Sequence, residues 1–343
     1  MTATPSVWKN DAVISSRIRL ARNVEALQSP HIIATSAGSA SDSGRFINNV
    51  YGILSQAGDF ELLRMGGLSD NYKDSLIERH LISPLLKRNS LVSAAVLNKE
   101  ENLSVMINEE DHLRIQCITP GLSLEKAYEE ANVVDDLLIS GLNIVYDERY
   151  GFITSSMADI GTGMRASVML FLPALTTVGD IEEVSRNLYL GGFNVKGAYS
   201  DGQKVLGFMY QVSNRITIGK SEKEIIAEVN KAVDFLLAEE EKAREEMLRK
   251  ATLSLKDHIM RSKGILTNAC ILPLGEFIER FGAVKLGVSL GYIGVSDLQE
   301  FNRLLEAGQS ATLMITANKE MSEKDVEVYR AEYITRRLSK LIV

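Results

Sequence analysis

Two stretches in which apolar residues occupy every second position limit what this chain can fold into. They cover residues 103–107 and 113–117, and an acidic segment, 108–112, separates them. Alternation with a period of two predicts β-strands, and a short polar segment between two such strands predicts an antiparallel hairpin. The chain is therefore expected to contain an antiparallel pair of strands with carboxylates at the tip of the hairpin.

Apolar residues at helical spacing lie on both sides of this hairpin in the sequence, and only this pattern continues towards the end of the chain. Apolar residues at helical spacing predict helices at 46–54, 74–81, 124–138 and 221–250. Charged residues at 239–246 are interpreted as the solvated face of the last of these helices. Beyond about residue 251 the strand pattern disappears, and a chain of 343 residues is expected to form about two domains. We predict an α+β fold with a mixed domain at 1–250 and a helical C-terminal domain at 251–343.

Charge balance and the scarcity of metal-binding residues exclude several function classes. The sequence holds 38 Lys and Arg against 45 Asp and Glu, a net charge of −7. A net acidic chain argues against general nucleic-acid binding, which needs a basic face. Cys117 and Cys270 lie far apart, and together with four histidines they match no metal-ligand spacing. No apolar run approaches the ~20 residues of a membrane span, and residues 1–10 lack a signal-peptide pattern, so a cytoplasmic protein is expected.

Three arginines lie close together near the start of the chain. Arg17 and Arg19 are two positions apart, so in a strand their guanidinium groups lie on one side, and Arg22 follows. Planar guanidinium groups on one face suit a polyanion such as a triphosphate, through bidentate charge-assisted hydrogen bonds. The alternative is an ordinary surface strand held by salt bridges.

The hairpin tip carries Glu109, Glu110 and Asp111, with Arg114 just behind them. Adjacent carboxylates repel one another, so such a group favours a nearby metal, a cationic substrate or arginines. The alternative is a solvated turn.

A glycine-rich segment at 161–166 matches the dinucleotide-binding pattern G-x-G-x-x-A, and Asp180 follows at a suitable distance. The surrounding sequence lacks the repeated strand–helix–strand units of a dinucleotide-binding domain. A phosphate-binding turn, with Arg165 as a further cation, is the preferred interpretation.

A second loop, 195–202, contains Lys196 and is bounded by Gly197 and Gly202. By itself this loop predicts a simple connection between strands. Combined with the arginines and the carboxylate tip, it fits phosphoryl transfer to a cationic nitrogen, in which cations neutralise the transferred phosphoryl group and Mg²⁺ bridges the nucleotide. The chain contains neither the Walker motif of P-loop proteins nor the catalytic motifs of ordinary protein kinases.

Several long segments resemble the phosphagen (ATP:guanidino) kinases and, within them, the bacterial protein-arginine kinase (McsB) subfamily. The hallmark segments are 15–23, 108–116 and 161–169, and the shorter segments 78–84, 172–175 and 210–214 are also similar. The resemblance extends over nearly the whole chain. It implies a catalytic domain with a curved antiparallel sheet flanked by helices, followed by a helical C-terminal domain.

The resemblance also implies roles for individual residues. It places Glu110 as the group that orients the target guanidinium and accepts its proton, Glu109 in the shell of Mg²⁺, and Asp201 as a second carboxylate at the guanidinium. The cofactors implied are ATP and Mg²⁺, with no direct protein ligand to the metal. The residues implied in ATP binding are Ser15, Ser16, Arg17, Ile18, Arg19, His80, Arg114, Arg165, Ala166, Ser167, Val168, Met169, Lys196, Gly197, Ala198, Tyr199, Ser200 and Asp201.

The family further implies a cellular role. Its product is phosphoarginine on proteins with exposed arginines, which marks those proteins for a ClpC–ClpP-type protease as part of a stress response. The partners implied are a zinc-finger activator protein, the protease and a second copy of the chain in a homodimer, with no nucleic acid and no membrane.

Four departures from the family pattern fall in functional segments. Lys196 stands where the family has Arg, Asp201 where it has Glu, and Ser156 where it has a reactive Cys in a Thr-x-Cys-Pro-Thr-Asn context. The C-terminal phosphoarginine-sensing motif is stretched at 324–331. Because Lys cannot form the bidentate fork of Arg, these changes motivate an alternative: a catalytically weakened pseudokinase that binds nucleotide or phosphoarginine as a regulator. A kinase for small guanidino compounds is a further alternative.

Overall fold

The fold is centred on an eight-stranded antiparallel sheet. A computed structural model describes residues 11–25, 27–30, 40–202, 204–250 and 253–343, so the signal-peptide expectation for residues 1–10 lies outside the described residues. The strands are β1 (Val13–Arg22), β2 (Phe60–Arg64), β3 (Ala94–Asn98), β4 (Leu103–Ile107), β5 (Leu113–Pro120), β6 (Tyr146–Asp147), β7 (Gly151–Phe152), β8 (Met164–Phe171), β9 (Phe193–Gly197), β10 (Ser200–Asp201), β11 (Lys204–Val205) and β12 (Met209–Asn214). The order of strands in the large sheet is β2-β3-β4-β5-β1-β8-β12-β9.

The helices flank this sheet and fill the C-terminal part. They are α1 (Ala40–Leu54), α2 (Asp70–Glu78), α3 (Pro84–Arg88), α4 (Leu124–Gly141), α5 (Pro173–Thr177), α6 (Ile181–Leu190), α7 (Glu222–Lys250), α8 (Leu253–Asn268), α9 (Leu274–Ser289), α10 (Leu298–Ala307), α11 (Ser310–Ala317) and α12 (Glu323–Leu341). The α+β prediction is confirmed, and the predicted hairpin is formed by β4 and β5, with Ile107 opposite Leu113. Within the described ranges, no helix combines the length and apolar character that crossing a bilayer requires.

The side chains of the central strand β1 point alternately to an apolar face and to a polar face of the sheet. Ile18 and Leu20 are fully buried, and α4 and α7 pack on their side of the sheet. Because successive side chains of a strand point to opposite faces, Arg17 and Arg19 lie on the other side. The strand pairs with β5 on one side and β8 on the other, so its polar face lies in the middle of the sheet.

The charged segment of α7 is only partly solvated, which corrects one expectation. Glu240 is fully buried and accepts hydrogen bonds from the backbone N–H groups of Ala174 (3.1 Å) and Leu175 (2.8 Å) at the start of α5. Arg244 pairs with it at 2.7 Å. Burial raises the pKa of Glu240 despite these partners. The interpretation of 239–246 as a solvated face is therefore wrong for this pair, which fastens α5 to α7.

The C-terminal helices share one apolar core with the sheet domain and are joined to it by polar contacts. At the end of α2, the Glu78 carboxylate accepts hydrogen bonds from the backbone N–H of Ala311 (2.9 Å) and of Thr312 (2.7 Å) at the start of α11. The buried Lys285 of α9 contacts Asp11 and donates to Asn302 at 2.8 Å. The division at residue 250 stays a prediction, because this core is continuous across it.

Arg330, within the expected phosphoarginine-sensing segment, is a structural residue. It is 1% exposed. Its guanidinium donates to the carbonyl oxygens of Gly308 (2.7 Å) and Leu272 (2.8 Å) and to the hydroxyl of Ser310 (2.7 Å). These bonds tie α12 to the neighbouring helices.

Candidate active site

Four arginines gather on the polar face of the sheet. Arg19 lies directly opposite Arg165 of β8, and Arg114 of β5 pairs with Ala21, which lies two residues further along β1 and on the same face. Arg17 lies on the same face as Arg19. Like charges directly opposite each other in a sheet are destabilising. The strand register therefore concentrates positive charge at one place, around the two arginines whose spacing predicted a shared face.

Arg17 and Arg19 have no carboxylate partner among the described residues. Arg17 Nε donates to Ser167 Oγ at a long 3.4 Å, and the buried Arg19 Nε has no partner in the part of the chain that the structure describes. Burial and the neighbouring arginines lower the pKa of Arg17 to about 10 and that of Arg19 well below its ordinary value. Because an uncompensated, partly buried cation is costly, this arrangement favours a bound anion.

The hairpin tip holds one carboxylate fixed and leaves another accessible. Glu109 is buried; its oxygens accept from Ser83 Oγ (2.5 Å) and from the backbone N–H of Glu110 (2.8 Å), and it pairs with Arg114 at 2.7 Å. Glu110 is 43% exposed and contacts Arg114 through one oxygen at 3.0 Å. Burial by itself would lower the pKa of Arg114, but Glu109, Asp111 and Glu110 outweigh it and raise the pKa. Glu110 is thus the carboxylate available to a ligand.

Two cavities lie side by side along the polar face of β1. The larger, of about 510 Å³, reaches Ser15 and Arg17, and the smaller, of about 300 Å³, reaches Arg19 and Ala21. Positions two apart in a strand are separated by roughly 7 Å. An elongated ligand lying along β1 would therefore extend from one cavity into the other across the arginines.

The larger cavity is bounded by both parts of the chain. From the sheet domain, Arg17, Ser167 and Met169 form its floor, beside His80. Its other wall belongs to α10 of the C-terminal part, which contributes Gln299, Asn302, Arg303 and Glu306. The spacing of these four residues in the sequence already indicates one polar face of a helix. That this face lies opposite β1 depends on the tertiary fold.

His80 lies in the larger cavity as a neutral side chain. Its φ is 60°, a left-handed conformation that non-glycine residues seldom adopt, and Gln116 Nε2 donates to its carbonyl oxygen at 2.6 Å. Burial, and then the charge of Arg17, lowers the pKa of His80 to about 4. Its Nε2 is buried and has no hydrogen-bond partner among the described residues.

Some residues expected at the nucleotide lie on the opposite face of the sheet. Ile18, Ala166 and Val168 are fully buried in the apolar core. Ser16 donates to the carbonyl oxygen of Gly121 at 2.8 Å and accepts from the backbone N–H of Ser123 at 2.9 Å. These four side chains support the sheet and do not line the cavities, whereas Ser15, Ser167 and Met169 do.

The loop that carries Lys196 and Asp201 lies beside the cavities and lines neither of them. Lys196 is exposed on the edge strand β9, opposite Gln211. Asp201 is exposed in a two-stranded hairpin, opposite Lys204, which in turn pairs with Glu279 of α9 at 2.8 Å. Gly197, Ala198, Tyr199 and Ser200 also belong to this segment. The structure thus brings the arginines together with Glu110 but does not bring Asp201 to them.

Sequence reasoning missed one carboxylate of the smaller cavity. Asp159 is buried and pairs with Arg165 at 2.8 Å. It lines the cavity together with Glu110 and Ser156. Its position six residues before Arg165, just ahead of the glycine-rich segment, was a usable signal.

The donor set around the site suits Mg²⁺ held chiefly by a nucleotide. Among the residues that the structure describes, no group of three or more His, Cys, Asp or Glu side chains could hold a metal ion. Both carboxylate oxygens of Glu109 already have protein partners. Mg²⁺ usually keeps several waters and binds through substrate phosphates with one or two carboxylates, and Glu110 is the accessible carboxylate here.

Comparison with solved structures shows the fold. The duplicated taurocyamine kinase from Schistosoma mansoni with bound transition state analog components matches with a TM-score of 0.60 at 21% identity, over 82% of this chain and 44% of that one. Lombricine kinase matches with a TM-score of 0.56 at 19% identity, over 71% of this chain and 68% of that one. The fold is that of the phosphagen kinase catalytic domain.

Sequence comparison is more specific. Residues 44–243 match the ATP:guanido phosphotransferase C-terminal catalytic domain, and residues 252–342 match the protein-arginine kinase McsB C-terminal domain. A protein-arginine kinase of Caldanaerobacter subterraneus subsp. tengcongensis is 37% identical over 97% of this chain and 98% of its own length. That of Staphylococcus haemolyticus is 40% identical over 96% and 98%. The chain therefore belongs to the protein-arginine kinases, a branch of the ATP:guanidino phosphotransferase enzymes.

Proposed function

We propose that this protein transfers the γ-phosphoryl group of MgATP to the guanidino group of arginine side chains in proteins. The observation that carries the proposal is the cluster of Arg17, Arg19, Arg114 and Arg165 beside the accessible carboxylate of Glu110. It places three of the arginines and the accessible carboxylate together in the smaller cavity, with Arg17 in the larger cavity next to it. Relatives 37–40% identical over nearly the full chain bear the name protein-arginine kinase, which supports a protein substrate.

The nucleotide would lie along β1. The base and ribose would occupy the larger cavity near His80, and the triphosphate would cross Arg17 and Arg19. Arg114 and Arg165 would then neutralise charge on the transferred phosphoryl group. Cations fixed in advance around a metaphosphate-like transition state lower the barrier without reorganisation during the reaction.

Glu110 would accept the proton that the arginine guanidinium of the substrate loses. An arginine guanidinium has a pKa above about 12 and is a poor nucleophile while protonated. As its nitrogen bonds to the γ-phosphorus, the bond from that phosphorus to the β–γ bridging oxygen breaks and ADP leaves. The nitrogen proton passes to the Glu110 carboxylate, which is a general base in this step.

The proposal extends to the cellular role that the family resemblance implies. In it the protein is cytoplasmic and forms a homodimer, and a zinc-finger protein activates it. Its phosphoarginine product marks proteins for a ClpC–ClpP-type protease during stress. Mg²⁺ accompanies ATP.

A phosphorylation assay tests the proposal. The protein is incubated with γ-labelled MgATP and a basic protein substrate, and acid-labile, base-stable phosphoarginine is measured. We expect product from the wild type and loss of product from Glu110→Ala. Glu129→Ala, an exposed change on α4 behind the sheet, is the matched control. Free arginine or creatine as the better acceptor would instead indicate a small-molecule kinase.

A pseudokinase is the second candidate, because Lys196 and Asp201 lie outside the two cavities. It predicts MgATP binding without phosphoarginine under any condition. The triple change Lys196→Arg, Asp201→Glu and Ser156→Cys would then raise turnover if these departures cause the weakness. Failure to raise it would remove them as the cause.

A further inference from the structure

We infer that Asp159 is a specificity-determining residue that holds the target guanidinium together with Glu110, in the place expected for Asp201. This inference rests on the proposed guanidino substrate. It concerns the smaller cavity, which Glu110 and Asp159 line together with Arg19, Arg114 and Arg165.

The two carboxylates are arranged alike. Glu110 contacts Arg114 through Oε2, and Asp159 contacts Arg165 through Oδ1, at 3.0 and 2.8 Å. The second oxygen of each has no hydrogen-bond partner among the described residues, and neither is a buried, unsatisfied atom. Each carboxylate is therefore anchored to one arginine by one oxygen and can accept from a ligand with the other.

The charges of the site select a cation for these free oxygens. Arg19, Arg114 and Arg165 attract the transferred phosphoryl group. When that group occupies their part of the smaller cavity, the two carboxylates border the space that remains. A guanidinium presents five N–H donors in a plane and can donate to two carboxylates at once. A lysine ammonium is a point charge and cannot bridge the two carboxylates in the same way.

The backbone holds Asp159 in position. Its N–H donates to the carbonyl oxygen of Ser156 at 3.0 Å. The hydroxyl of Thr217 contacts the carbonyl oxygens on either side, those of Ala158 (3.1 Å) and Ile160 (2.6 Å). A supported side chain of this kind can position a substrate group without first being ordered by it.

Asp201 is less suited to this task. It is exposed in a small hairpin whose other strand forms an exposed ion pair with α9, and it lines neither cavity. Asp159 is buried, ion-paired and already inside the cavity.

Calorimetric titration tests this without requiring turnover. An arginine-containing peptide, and the same peptide with lysine in place of arginine, are titrated into the protein with MgADP. For Asp159→Asn we expect arginine-peptide affinity to fall at least tenfold while MgADP affinity is unchanged or higher, since Arg165 loses a competing anion. Asp159→Glu, which keeps the charge, should retain part of the affinity, and the exposed Asp234→Asn is the matched control.

Steady-state kinetics adds a second readout. Asp159→Asn should raise KM for the arginine peptide at least tenfold, with a smaller change in kcat, and its thermal unfolding confirms that the variant is folded. Unchanged peptide affinity in Asp159→Asn, an equal loss of MgADP affinity, or a larger loss in Asp201→Asn would overturn the inference. Arginine-selective peptide binding without any phosphoarginine would refute the proposed function and leave this inference standing.

Discussion

Arg19 of β1 and Arg165 of β8 face each other across the antiparallel ladder, and only Arg165 has a carboxylate partner among the described residues. The two guanidinium groups therefore repel each other in the free protein. A phosphate oxygen between the two guanidinium groups would turn that repulsion into two attractions. Ligand binding at this pair would then also stabilise the central sheet.

The first prediction concerns that coupling. Arg19→Met should raise the stability of the nucleotide-free protein by about 1 kcal/mol, because an apolar residue replaces an unpaired, partly buried charge. It should also weaken MgATP binding at least tenfold, about 1.4 kcal/mol. Thermal unfolding and nucleotide titration measure the two effects. A less stable variant with unchanged nucleotide affinity would contradict the anion-site interpretation.

The second prediction concerns the two neighbouring glutamates. Glu109→Gln should destabilise the protein by about 3 kcal/mol, because it breaks a buried ion pair with Arg114. Glu110→Gln should leave stability nearly unchanged and reduce kcat by roughly 10²- to 10⁴-fold, as loss of a general base does. Urea unfolding and the phosphorylation assay, run on both variants, separate structural from chemical roles. Equal stability losses would argue against this division.

The third prediction is a pH dependence from His80. Its pKa is about 4 in the folded protein, below its ordinary value of 6.5, so between these values the unfolded chain binds more protons. Stability should therefore fall as the pH decreases from about 6.5 to about 4, by up to about 3 kcal/mol from this residue. Urea unfolding at several pH values measures the slope.

The variant His80→Asn isolates this contribution. Asparagine tolerates the left-handed backbone at φ 60°, so the exchange removes the titrating group with little added strain. The pH slope should become shallower in the variant. The same slope in both proteins would assign the effect to other groups.

The fourth prediction concerns the wall that α10 contributes. Arg303→Ala should weaken MgATP binding about three- to tenfold, since Arg303 lines the larger cavity from the C-terminal part. Arg336→Ala, an exposed arginine on α12, is the charge-matched control. Nucleotide titration of both variants is the measurement. Equal affinities would mean that the nucleotide does not reach this wall.

Local patterns predicted what depends on neighbours in the chain. The hairpin formed where the period of two predicted it, and Arg17 and Arg19 share a face because strand geometry requires it. The partners of these arginines depended on register, which placed Arg165 opposite Arg19. The buried position of Glu240 does not follow from local spacing, because it results from contacts between distant segments, whereas Asp159 lies only six residues before its partner Arg165.

The contact between the Glu78 carboxylate of α2 and the start of α11 limits where the chain can be divided into separate fragments. The next two residues, Arg79 and His80, line the larger cavity, so the segment that forms its rim is fastened at one end to the C-terminal helices. Cutting the chain at residue 250 would remove both the α10 wall and this fastening. A chain ending there would lack one wall of the larger cavity and the contact that positions its rim.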